Sequence, residues 1–404
     1  MARSHDMTSG SIWRSLLGFS IPIMISNLVQ STYNAVDMLF VGRFTGTESL
    51  AAVSVCGPIL NVMIITLSGM SAGVLVVISG LLGAGDIKQA QDAAHTSVAL
   101  YALMAAVMTV LGLLFVPQIL RLVQTPAAAM PEAKRYLYTV FAGTVFTFGY
   151  NLIGALQRGL GNAAASMSFV IISSAANIAL DAVFIVWLGM GAFGAALGTV
   201  LSQVAAFVIG TVQFARGGAA LRLSARAVRF HKKHLKNILL FGVPTALNEV
   251  MVNLAMLTVS GVANSFGLAS SAAYGVGSRI NSLAIFTDGA MNQTMSAYAS
   301  QNIGAGRQKR ALEGLWKAII LSAGAALGTS LLVLGFASEF SACFDSDPTV
   351  IEQSAAFLRV TVWSYPLFAT VGPLIGFIRG TGNVEASLLV GVVAQLCCRV
   401  PASF

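Results

Sequence analysis

Charge is scarce in this sequence: Asp, Glu, Lys and Arg together make up 9% of its 404 residues, while hydrophobic residues make up 56%. A soluble globular domain carries roughly 25% charged residues, so a water-exposed fold is excluded and the chain reads as an integral membrane protein. Cysteine is scarce too. Cys56, Cys343, Cys397 and Cys398 form no CxxC pair, and three of them lie in apolar runs, where a thiol serves as a small buried hydrophobe rather than a redox or metal ligand. Strict alternation of apolar and polar residues is missing, which sets aside a transmembrane β-barrel. His231 and His234, in the segment "RFHKKHLK", have neither cysteine nor carboxylate beside them and read as solvated loop residues, not metal ligands.

What the sequence does have is long apolar runs. They recur at approximately 13–41, 50–82, 97–116, 138–156, 165–188, 192–215, 238–262, 271–299, 315–337, 355–378 and 385–404. Each is close to or longer than the roughly 20 residues a transmembrane helix needs, so eleven spans are predicted in an all-α polytopic membrane protein. The polar start "MARSHDMTSGSIW" leads into a first run longer than the core of a cleavable signal peptide, with no small-residue cleavage site, so this first helix is expected to be retained.

Basic residues set the orientation. With the N-terminus inside, the tail and the even-to-odd loops collect Arg3, Arg14, Lys88, Arg158, seven residues between Arg216 and Lys236, four between Arg307 and Lys317, and Arg379, which is sixteen of the twenty-three. Short cytoplasmic loops are where Lys and Arg accumulate, so a cytoplasmic N-terminus in the plasma membrane is expected. The net charge of +8 is then a juxtamembrane feature with some attraction to anionic lipid, and no nucleic-acid partner is called for.

The chain repeats itself. "FSIP" at Phe19–Pro22 returns as "FGVP" at Phe241–Pro244, "LLGAGDIKQA" at Leu81–Ala90 as "NIGAGRQKRA" at Asn302–Ala311, and "LIGALQRGLGN" at Leu152–Asn162 as "LIGFIRGTGN" at Leu374–Asn383, all offset by 221 or 222 residues. Three ordered matches at one offset indicate a tandem duplication of a six-helix unit. Six is even, so both copies enter from the same side, a parallel repeat of the kind that puts a substrate path between two bundles. The expected organisation is a first six-helix bundle at 1–215, a basic cytoplasmic linker at 216–236 and a second bundle at 237–404. By the repeat arithmetic a twelfth helix is expected after Phe404, so either the sequence is a fragment or the second bundle is incomplete, with about eleven helices seen of an expected twelve.

Asp37, in "YNAVDMLFVG", interrupts the first apolar run. A charge near the centre of a helix costs on the order of 2.5–3.5 kcal/mol, so it usually faces protein or water with a partner. One reading ends the helix near Val36 and puts Asp37 outside the hydrocarbon. The other pairs it with the fifth span, where "NIALD" sets Asn177 and Asp181 four apart on one helix face. With Tyr33 and Asn34 one turn before Asp37, these residues form an acidic, oxygen-rich group suited to a proton or to Na⁺. At the repeat offset Asp37 corresponds to Val259 and Asp181 to Ala402, so the second copy keeps neither acid and the pair serves a task of the first bundle. The second copy has Glu249 and a stripe at Asn281, Asp288, Asn292 and Ser296, spaced seven, four and four. Two uses are open for that stripe: hydrogen bonding between helices, or Glu249, Asp288 and Asn292 lining a substrate cavity. Pro22, Pro244 and Pro366 fall inside spans and are expected to kink them.

Together, "FSIP", "YNAVDMLFVGR", "GAGD", "RGLGN", "NIALDAVFI" followed by "GAFGAALGT", and "QNIGAG" resemble the multidrug and toxic compound extrusion (MATE) family of cation-coupled efflux transporters over essentially the whole chain. The resemblance implies that the coupling ion binds at the residues matching Asp37, Asn177, Asp181 and, in the sixth span, Thr199. It implies antiport of amphipathic organic cations against H⁺ or Na⁺ by alternating access. No cofactor, no metal other than Na⁺ at the coupling site and no enzymatic step is expected, and the protein is expected to act as a monomer. Three rivals are weaker. A lipid-linked oligosaccharide flippase of similar architecture would want a strongly basic cavity, and the spans offer few basic residues such as Arg279. An intramembrane aspartyl protease also needs two membrane aspartates, yet "NIALD" lacks the glycine-rich approach and the duplication goes unexplained. A passive channel fits poorly with two bundles that carry separate acids.

Overall fold

A computed structural model describes residues 6–216, 221–345, 347–394 and 401. Among the described residues the chain is helical throughout its regular structure, with no strand. The long helices are α1 (Ile12–Phe44), α2 (Thr47–Gly83), α3 (Ile87–Leu122), α4 (Met130–Gly159), α5 (Ala163–Asp181), α6 (Gly191–Arg216), α7 (Lys232–Ser265), α8 (Leu268–Gly304) and α9 (Gln308–Gly335). Shorter ones follow: α10 (Ala337–Ala342), α11 (Pro348–Thr361), α12 (Tyr365–Phe368), α13 (Val371–Gly380) and α14 (Val384–Val392).

Nine segments among the described residues are long and apolar enough to cross a bilayer, against the eleven predicted. The run at 271–299 falls on α8, whose 37 residues are ample in length but are diluted by the Asn281 to Ser296 stripe. The run at 385–404 is described only as α14, and Cys397, Cys398 and Ala402 lie outside the described residues. The run at 355–378 is not one helix. It breaks at Thr361 into a 3₁₀ turn at Val362–Ser364 and then α12 and α13, because Pro366 and Pro373 each remove a backbone donor. Pro22 and Pro244, in contrast, sit within helices assigned as continuous, as do Pro58 and Pro117.

The repeat is visible in the turns. Gly85 has φ +74° and Gly306 φ +73°, and Gly161 has φ +79° and Gly382 φ +93°, a left-handed conformation that glycine adopts without a Cβ penalty. The Asn162 side chain caps α5 by accepting from Ala165 N at 3.1 Å, and Asn383 caps α14 by accepting from Ala386 N at 3.2 Å. Asp86 caps α3, accepting from Gln89 N at 3.0 Å. This capping bond, together with the Gln89 side chain, holds the Asp86 carboxyl below the usual carboxylate range.

Two compact units result. The first comprises Ile25–Leu82 and Asp86–Gly242, and the second comprises Asp6–Met24, Gly83–Gly85 and Val243–Phe404 so far as described. Lipid tails are as apolar as leucine, so helices in a bilayer associate through close packing and hydrogen bonds rather than through exclusion of water. Small residues supply that closeness. In the first unit α4 packs on α3 and α6, and Val200 and Phe207 of α6 lie against Gly143 and Gly149 of α4. Tyr101 is buried, bonded to Ser71 at 3.0 Å and stacked edge-on against Phe148. In the second unit Gly372, Gly376 and Gly380 of α13, four residues apart, face α8, and a methyl at Gly376 would overlap the Asn292 carbonyl. The opening segment belongs to this unit as well. Met7 is buried, with its N donating to Gln301 Oε1 at 2.9 Å and its O accepting from Asn302 Nδ2 at 3.2 Å, while Arg310 Nη2 donates to Ser9 O at 2.8 Å.

The segment between α6 and α7 is fastened to α3 within the first unit. Arg222 N donates to Gln91 Oε1 at 2.7 Å, Ser224 N to His95 Nε2 at 3.4 Å and His231 N to Thr96 Oγ1 at 3.2 Å. This corrects the expectation of two solvated histidines: His234 is buried, and His231 lies 3.6 Å from Asp92. Leu221 and Leu235 carry the chain into the unit's core, which draws the histidines in with it.

Candidate functional site

Helix α1 does not end near Val36. It runs to Phe44, which keeps Asp37 inside the helix and half-buried. Asp181 is fully buried and Asn177 nearly so. The Asp37 and Asp181 carboxyl groups lie against each other, and Oδ1 of each is buried without a hydrogen-bond partner. With its amide oriented by the surrounding network, Asn177 donates to Asp181 Oδ2 at 3.2 Å and accepts from Thr199 N at 3.3 Å. Four residues of the predicted set, Asp37, Asn177, Asp181 and Thr199, are thereby joined from α1, α5 and α6. Tyr33 lines a cavity of about 20 Å³ in the same unit with Asn177, Thr199, Gln30, Tyr150 and Ser174. That is room for about one water-sized occupant.

Two features of the site escaped the sequence reading. Helix α5 changes to π-helical hydrogen bonding at Ala182–Trp187, directly after Asp181, with Leu188 N bonding Val183 O at 3.0 Å. Such bulges cluster at functional positions, but the run "AVFIVW" carries no local signal for one. The second is Gly198 of α6, where any Cβ would overlap Asp181 Oδ1. A glycine facing the acid across two helices is what admits the carboxylate to the packed interior.

The predicted residues of the second copy are arranged differently. Asp288 Oδ1 accepts from Gly372 N at 2.7 Å, Asn292 Oδ1 from Arg379 Nη1 at 3.0 Å, and Asn281 Oδ1 from Tyr365 Oη. Ser296 Oγ donates to Asn292 O at 2.9 Å on its own helix. Glu249, on α7, is exposed and within electrostatic reach of Arg379. Arg379 had been assigned to a loop. Instead its side chain is buried at 5% exposure, with Nε unpartnered, because Asn292 draws the guanidinium inward.

Unpaired buried carboxylate oxygens from two helices, next to a one-occupant cavity in a membrane bundle, define a site that can take up a small cation or a proton. The comparisons with known proteins identify the family. The MatE family model matches the chain twice, over residues 22–183 and 244–404. The probable multidrug resistance protein YpnP of Bacillus subtilis (strain 168) is 27% identical over 399 residues, covering 99% of this chain and 89% of its own. The multidrug export protein MepA of Staphylococcus haemolyticus (strain JCSC1435) is 23% identical, covering 98% of this chain and 87% of its own. Among solved structures, an outward-facing multidrug resistance MATE family transporter of the MOP superfamily superposes with a TM-score of 0.90 at 25% identity, over 99% of this chain and 90% of that one. The chain belongs to the MatE family and is a multi-pass membrane protein built on a tandem repeat.

Proposed function

We propose that this protein exports amphipathic organic cations by antiport against H⁺ or Na⁺, with the ion taken up at Asp37 and Asp181. The observation that carries this reading is the pair of adjoining carboxyl groups whose Oδ1 atoms have no partner. Two carboxylates side by side cannot both stay ionised without a counter-cation, so the site exchanges charge with whatever ion reaches it. Thr199 and Tyr33 supply hydroxyl oxygens near it, and Asn177 steadies the Asp181 carboxylate by donating to Oδ2. Glu249, Asp288 and Asn292 are assigned to the drug path in the second unit, where the exposed Glu249 offers a negative charge to a cationic substrate. An ion that binds one conformation better than the other shifts the balance between them, and drug release follows the ion. The protein sits in the plasma membrane with its N-terminus in the cytoplasm, as the distribution of basic residues supports. No cofactor takes part.

The test is efflux of a fluorescent organic cation from proteoliposomes under an imposed pH or Na⁺ gradient. Gradient-driven transport that vanishes in Asp37→Asn and in Asp181→Asn supports the reading, and the gradient that drives it names the ion. Wild-type rates in Asp37→Asn under both gradients refute it.

A further inference from the structure

The stretch from Arg216 to Lys236 holds seven basic residues and no acidic one. It joins the end of α6 to the start of α7, both membrane-spanning helices, so covalent connection alone holds it at the membrane surface. From Arg222 onward its backbone is fixed on α3 by the bonds to Gln91, His95 and Thr96. Fixed in this way, the segment sorts its side chains. Leu221 is buried, and Leu223 and Leu235 pack against the core. The cations Arg222, Arg226, Arg229, Lys232 and Lys236 remain exposed. None of them is ion-paired with a carboxylate among the described residues. Phe230, in the middle of these cations, is 47% exposed.

We infer that this strap is a docking surface for anionic phospholipid, with Phe230 entering the interfacial layer and the flanking cations meeting headgroup phosphates. An aromatic ring with basic neighbours at the depth of the headgroups is the chemistry by which a surface segment engages a charged bilayer. Cations spread over fifteen residues of chain, from Arg222 to Lys236, suit an extended anionic surface better than one small soluble anion. Holding the strap rigid on α3 removes the ordering cost that a loose polybasic tail would bear. The attraction of each Lys or Arg near an anionic surface amounts to about a fivefold factor, and it is screened by salt beyond about 10 Å at 0.1 M.

The test uses the full chain reconstituted in equimolar phosphatidylglycerol and phosphatidylcholine, gently re-extracted, with the retained lipid quantified by mass spectrometry. Wild type is expected to retain phosphatidylglycerol in excess over phosphatidylcholine. The triple variant Arg226→Gln, Lys232→Gln, Lys236→Gln removes charges that lie apart from the backbone bonds holding the strap on α3, and the excess is expected to fall at least about fivefold. Phe230→Ala lowers retention of both lipids. A control triple variant at the α3–α4 turn, Arg121→Gln, Lys134→Gln, Arg135→Gln, is expected to leave the ratio unchanged, and size-exclusion profiles verify that every variant is folded. The inference is overturned if the strap variant keeps the wild-type ratio, or if the control variant loses the excess equally.

Discussion

Replacing Gly198 by alanine tests the candidate site without touching any of its polar groups. The added methyl would overlap Asp181 Oδ1 and lie 3.5 Å from the Asp181 backbone nitrogen. The clashing atom is the end of a side chain, so the carboxylate gives way rather than the helix. Rotating Asp181 off its rotamer costs about 0.5–1.5 kcal/mol, and losing the bond from Asn177 to a charged acceptor costs about 1.5–3 kcal/mol. Affinity of the site for its ion should therefore fall by about 2–4.5 kcal/mol, roughly 30-fold or more. Stability behaves differently, because alanine in place of glycine favours a helix by about 1 kcal/mol and offsets part of the strain. By the same figures the variant should lose about 1–3.5 kcal/mol of stability, and the ion concentration needed for half-maximal efflux should shift upward by at least that factor. Gly324→Ala is the matched control, since a Cβ there meets nothing within 4 Å, and it should transport normally. Wild-type ion dependence in Gly198→Ala would refute the placement of Asp181 in the working site, because the methyl cannot fit beside the carboxylate where it now lies.

Three further outcomes follow from the geometry. Gly376→Ala sets a methyl against the Asn292 backbone carbonyl, which cannot rotate away, so α13 must part from α8 at about 1–3 kcal/mol or more; a wild-type melting temperature would contradict this packing. Asn162→Ala removes the cap on α5 and should lower stability by about 1 kcal/mol, measured by thermal melting in detergent. Asp86 has a carboxyl held below its usual range by the bond from Gln89, so its contribution is present above the ordinary carboxylate pKa and is lost as pH falls through the lower folded value. Asp86→Ala should thus melt below wild type at pH 7, with the difference closing only at pH values under the ordinary carboxylate range, and a gap unchanged down to that acid limit would refute the assignment.

Much of this was legible in the sequence, and the rest was hidden for physical reasons. Apolar runs act locally, so the helices and the repeat could be read directly. The spacing of Asn177 and Asp181 is also local, and it correctly put both on one face of α5. What lay out of reach depends on partners distant in sequence. Arg379 looked like a loop cation until Asn292, 87 residues earlier, drew it inward. His234 looked solvated because nothing near it in sequence reveals that the linker returns to α3. The break at Thr361 could have been found from Pro366 and Pro373 together, whereas the single prolines Pro22 and Pro244 sit in helices that continue.

The duplication separates what holds the fold from what the site does. Positions kept in both copies have matching local roles: Asn162 and Asn383 cap equivalent helices, and Gly161 and Gly382 turn the chain before them. Arg158 and Arg379 occupy the same place at the ends of α4 and α13, and each donates from Nη1 at 3.0 Å, the first to Ser166 and the second to Asn292. The partner differs while the arginine and its bonding nitrogen persist, so the arginine belongs to the shared scaffold. Asp37 shows the opposite pattern. Its counterpart Val259 is apolar and lies in a helix of similar length, so the six-helix plan does not require an acid at that point. A buried carboxylate that the scaffold does not require, set against a second one with an oxygen left unpartnered, destabilises the folded first unit for as long as no cation or proton joins it. That cost is retained in one copy and absent from the other, which supports the proposal that ion uptake is the task of the first unit.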